Sequence, residues 1–107
     1  PIVREGDGLA MSSRNVYLDP GERSIAPQLY ATLRDVATDL ASGRPVRESM
    51  TQAKVRLEHS GFRIDYLELR DSDTLMPIED QEHASRARLL AAVYLGSVRL
   101  IDNVEVA

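Results

Sequence analysis

The stretch RARLLAAVYLGSVRLIDNVEV, residues 86–106, reads as two strands joined at Gly96–Ser97. A two-residue connection with glycine in its first place supplies the positive φ that tight antiparallel hairpins need. The near-continuous apolar run Leu89–Leu95 marks the central strand of a sheet, covered by helices on one face and partly enclosed on the other. Working back along the chain, FRIDYLELR (62–70) is a third strand, with Leu67 and Leu69 facing one way and Tyr66 and Glu68 the other. An acidic, proline-containing connection from Asp71 to Glu82 lies between it and the hairpin.

Upstream of the strands the apolar period lengthens. Asp19 as cap, Pro20 in the first helical position and Glu22 in the third form a capping box, in which two side chains satisfy free backbone N–H groups. Ile25, Leu29, Leu33, Val36 and Leu40 then recur every three or four residues, predicting one helix from Asp19 to near Gly43. Pro45 opens a second, striped by Val46, Met50, Ala53 and Leu57 and stopped at Gly61, which can take the left-handed conformation. The expected fold is α+β: a two-helix hairpin over a three-stranded antiparallel sheet. Ile2–Arg4 is expected to form a short strand, and the glycine-bearing segment after it a loop.

At 107 residues and 43% hydrophobic content the chain suits one domain with its own core. Its net charge of −4 and its single lysine, Lys54, argue against a nucleic-acid surface, which needs clustered cations. With no cysteine, disulfides and thiolate metal sites are excluded, and a reducing compartment fits. His59 and His83 have no second histidine at ligand spacing and read as solvated helix-end or loop residues. No stretch is apolar for long enough to span a bilayer, so the chain reads as soluble. It begins with proline, and PIVRE runs directly into a strand-like triplet; we expect a piece of a longer protein.

Few groups are arranged for chemistry. Asp65 and Glu68 differ in strand parity, which places them on opposite faces, and Asp71 and Asp73 read as turn residues. No glycine-flanked serine elbow is present, and Tyr17, Tyr30, Phe62, Tyr66 and Tyr94 fall in core or core-margin patterns. DGLAMSSRN (7–15) remains. Gly6 and Gly8 begin a G-x-G-x-x-G that Met11 breaks, and no G-K-[ST] follows. The segment reads either as a simple turn or as an anion grip: successive loop N–H groups make a nest, two hydroxyls donate, and the Arg14 guanidinium matches phosphate oxygens.

PIVREGDGLAMSSRNVYLDPGER, with GFRIDYLELRD and LLAAVYLGSVRLIDNVEV, resembles the C-terminal domain of the pantoate beta-alanine ligases from Pro1 to Glu105. The resemblance implies that residues 1–107 are that domain, with a phosphate-binding loop region at 1–18 and the helices and sheet at 19–107. It implies a small lid beside a Rossmann-type, nucleotidyl-transferase-like N-terminal domain that is absent from these residues. The implied activity joins pantoate to beta-alanine through pantoyl adenylate, giving pantothenate, AMP and pyrophosphate from ATP, in a cytoplasmic enzyme that is a homodimer at full length. MSSRN corresponds to the KMSKS signature of related synthetases, with Ala10 and Arg14 in place of its two lysines.

By the same correspondence, the loop Gly8–Asn15 closes on the ATP phosphates. Ser12, Ser13 and Arg14 meet those phosphates as the catalytic residues, and Val3 and Met11 lie against the adenosine. Mg2+ accompanies ATP with no ligand from these residues, and the isolated piece is expected to be inactive. The competing reading is a non-catalytic α+β module for protein interaction.

Overall fold

The computed structural model describes residues 2–78 and 86–106. In chain order they form a 3-10 turn (Ser13–Tyr17), helices α1 (Pro20–Ile25), α2 (Gln28–Ala41) and α3 (Val46–Ser60), and strands β1 (Arg63–Asp71), β2 (Ala87–Leu95) and β3 (Val98–Glu105). The strands form one antiparallel sheet in the order β1-β2-β3. Leu95 pairs with Val98 across the expected two-residue turn, where Gly96 has φ +61°.

Helices α2 and α3 pack side by side on one face, α3 against β1 and α2 against β3. Leu29, Leu33, Val36 and Leu40 of α2, with Val46, Ala53 and Leu57 of α3, are buried against Leu67, Leu69, Leu89, Ala91, Val93 and Leu100. Both predicted stripes therefore form the core, and removing this area from water is the main favourable term in folding. Gly61 ends α3 at φ +108°, where its N–H donates to the Leu57 and Glu58 carbonyls.

The predicted continuous helix from Asp19 to Gly43 is instead two. Its capping box forms as read: Asp19 accepts from the Glu22 N–H and Glu22 accepts from the Asp19 N–H. The break falls at Ala26–Pro27 because proline has no N–H for the Arg23 carbonyl and its ring crowds that turn. The strand expected at Ile2–Arg4 is reduced to a single antiparallel bridge between Arg4 and Ala10. Residues 13–17, read as loop, make a 3-10 turn because the Ser12 side chain caps it.

A register shift between Ile64 and Tyr66 corrects the strand-parity argument. The bulge inserts Asp65 as an extra residue, so its carboxylate reaches Arg99 on the open face of the sheet, the face Glu68 shares with Arg70. His59 is exposed in the last turn of α3, while His83 and the connection at 79–82 lie outside the described residues. Among the described residues, no helix is long and apolar enough to cross a membrane.

Candidate functional site

The segment from Val3 to Tyr17 is a small hairpin followed by the 3-10 turn. The Met11 N–H donates to the Val3 carbonyl (2.9 Å), the Glu5 N–H to Leu9 (2.8 Å), and the Gly8 N–H back to Glu5 (3.0 Å). Gly8 turns the chain at φ +96°. Leu9 is buried and plugs the hairpin into the core. Arg23 of α1 grips Asp7 (2.7 and 3.3 Å), and this pairing holds the Asp7 carboxyl below the ordinary aspartate range.

A second anchor lies beneath the hairpin. The Arg4 guanidinium donates to both Asp102 carboxylate oxygens (2.8 and 2.9 Å), to the Gly8 carbonyl (3.0 Å) and to the Asn103 carbonyl (3.4 Å). It also stacks 3.7 Å from the ring centre of Tyr30. The Asp102 side chain is 1% exposed, and its hydrogen bond to Arg4 holds the guanidinium even more firmly charged than an ordinary arginine. A carboxylate this deep is tolerable only when paired in this way. The 3-10 turn is tethered in turn, since the Asn15 amide donates to the Ala10 carbonyl (3.0 Å).

On this tethered base the predicted residues sit at the surface. Val3 and Met11 are neighbours across the hairpin mouth, 68% and 52% exposed, and Ser12, Ser13 and Arg14 follow directly, all exposed. The Ser12 hydroxyl oxygen accepts from the Arg14 N–H (3.1 Å), leaving its hydrogen free to donate elsewhere. Arg14 makes no ion pair among the described residues. Tyr17, read as core margin, is 75% exposed beside Val16, because the 3-10 turn aims it away from the helices.

None of these five residues lines the groove of about 850 Å³ between Arg4, Tyr30, Arg34 and Arg88. Ser12–Arg14 thus form a donor-rich ridge with hydroxyls and a cation, suited to an anion presented from outside the chain. No acidic side chain belongs to that ridge, and no group of three His, Cys, Asp or Glu among the described residues makes a metal-ligand set. Sequence reasoning missed Arg4, Asp102 and Tyr30. The signal was present: Val98, Leu100 and Asp102 share one parity in a strand whose apolar members face inward, and an inward carboxylate demands a buried cation.

A family model described as Pantoate-beta-alanine ligase matches residues 1–105. The chain belongs to the pantoate-beta-alanine ligase family. Among its relatives in that family, the pantothenate synthetase of Rhodopseudomonas palustris (strain CGA009) is 48% identical over 106 residues, 99% of this chain and 37% of the relative. That of Dinoroseobacter shibae is 50% identical, again over 99% of this chain and 38% of the relative. The crystal structure of pantothenate synthetase from Thermus thermophilus superimposes with a TM-score of 0.86 at 42% identity, over 99% of this chain and 38% of that one. A pantoate-beta-alanine ligase from Francisella tularensis, complexed with beta-gamma ATP and beta-alanine, superimposes at 0.63 with 27% identity, over 99% of this chain and 31% of that one. The chain therefore spans little more than a third of the family members it matches.

Proposed function

We propose that these residues are the C-terminal domain of an ATP-dependent ligase that condenses pantoate with beta-alanine. The observation that carries the reading is the exposed Ser12-Ser13-Arg14 ridge, held on a hairpin tied to the core in a chain of this family. The Francisella relative is complexed with beta-gamma ATP and beta-alanine, which supports ATP and beta-alanine as ligands here.

In the proposed reaction a pantoate carboxylate oxygen attacks the α-phosphorus of ATP, and the bond to the β-phosphate oxygen breaks. Pyrophosphate leaves and pantoyl adenylate remains. The amine of beta-alanine then attacks the acyl carbon, AMP departs with the bonding electrons, and the amine loses a proton to give pantothenate. Arg14 offsets the charge that grows on the departing pyrophosphate, and the Ser12 and Ser13 hydroxyls orient its oxygens. Val3 and Met11 supply the apolar edge for the adenosine. Mg2+ bound with ATP would neutralise phosphate charge.

The pantoate site and most of the ATP pocket belong, on this reading, to a Rossmann-like N-terminal domain, with the full-length cytoplasmic enzyme a homodimer. In the full-length enzyme Arg14→Ala should slow pyrophosphate release by about tenfold or more while pantoate affinity stays within about threefold, because the lost interaction matters most in the transition state. Pyrophosphate release within about threefold of the parent would falsify the role given to Arg14.

A further inference from the structure

Three elements converge on the Arg4 guanidinium. The hairpin contributes Arg4 itself and the Gly8 carbonyl, β3 contributes Asp102 and the Asn103 carbonyl, and α2 contributes the Tyr30 ring. The contact spans almost the whole chain, from residue 4 to residue 102. Gly8 rests on the same ring so closely that a Cβ there would come 2.5 Å from Tyr30 Cδ2. The two ends of the hairpin are Val3 and Met11, and Met11 runs directly into Ser12. A guanidinium held by a bidentate carboxylate and a stacked ring has little rotational freedom, so the hairpin takes one orientation on the sheet.

We propose that Asp102 is a positioning residue for adenylate formation. Acting through Arg4 and braced by Tyr30, it aims the Ser12-Ser13-Arg14 ridge at the triphosphate. The proposal rests on the reading of that ridge given above. Asp102 touches no substrate; it sets the angle at which Arg14 arrives, and misplacing such a group by about 1 Å can cost on the order of a hundredfold in rate.

The test uses the full-length enzyme with Asp102→Asn, which keeps the shape and removes the charge that orders Arg4. At saturating ATP and pantoate, pyrophosphate release should fall by about tenfold or more while KM for pantoate moves by no more than about threefold. Hydrogen exchange without nucleotide should quicken at the Glu5 and Met11 amides by about tenfold and stay unchanged at Leu89 and Val93 in the central strand. A purely structural role would instead loosen both sets together. Tyr30→Leu, which removes the ring stacked on Arg4 and leaves both partners of the Arg4–Asp102 pair in place, should move the same readouts in the same direction and carries the test should Asp102→Asn not fold.

Normal exchange at Glu5 and Met11, or faster exchange with pyrophosphate release within about threefold of the parent, overturns the proposal. Arg14→Ala is measured alongside. If that variant is silent, the phosphate reading itself falls, and any positioning role with it; if only the hairpin exchange is normal, Asp102 alone is misassigned.

Discussion

Asp7 shows how one side chain fastens the hairpin to α1. Its carboxylate takes two hydrogen bonds from Arg23 and one from the Leu9 N–H, and the Arg23 contact is the largest cause of its lowered pKa. A carboxyl whose folded pKa lies below its unfolded value contributes stability fully above the unfolded value, about 3.9 for aspartate, and loses it as pH falls through the folded value. The tie is therefore complete at neutral pH and fails only in acid. An NMR titration should place Asp7 below the ordinary aspartate midpoint and, in Arg23→Ala, move it back up; an unmoved midpoint would remove Arg23 as the cause.

Among the elements, the hairpin and the end of α3 each depend on a glycine with positive φ, for different reasons. Gly61 has open space around it, so Gly61→Ala carries backbone strain alone, about 1–2 kcal/mol. Gly8 has the same strain and also faces the Tyr30 ring, which Arg4 pins from its stacked position. Overpacking adds about 1–3 kcal/mol, so Gly8→Ala should cost distinctly more than Gly61→Ala in urea unfolding. Equal costs would mean that the ring moves aside freely. The glycine at 61 was readable as a helix stop from its place after an apolar stripe. The reason for the glycine at 8 was not, because its neighbour is twenty-two residues away in sequence.

As a whole, the molecule has a mutually buried core, while the proposed site stands open at its surface. Both helix stripes and the inner face of the sheet are mutually buried, while the five proposed ligand-facing residues stand exposed on the surface. The 107-residue chain should therefore unfold in one cooperative thermal transition, yet form no pantothenate when given ATP, Mg2+, pantoate and beta-alanine. Pantothenate produced by this chain alone would overturn the proposal that a further domain supplies most of the pocket.

Local sequence pattern, apolar period together with turn and cap residues, determined the α+β layering, the two buried stripes, the hairpin at Gly96–Ser97 and the capping box at Asp19, because each depends on residues close in sequence. The tertiary structure decided what depends on distant partners: the bulge that turns Asp65 toward Arg99, and the buried Asp102 that holds Arg4 beneath the hairpin. It also reduced the Ile2–Arg4 strand to one bridge, since among the described residues no other strand lies alongside to extend the ladder. Local pattern specifies backbone hydrogen bonds and the apolar face. Which charge is buried, and which segment it orients, is set by contacts that exist only once the ends of the chain have met.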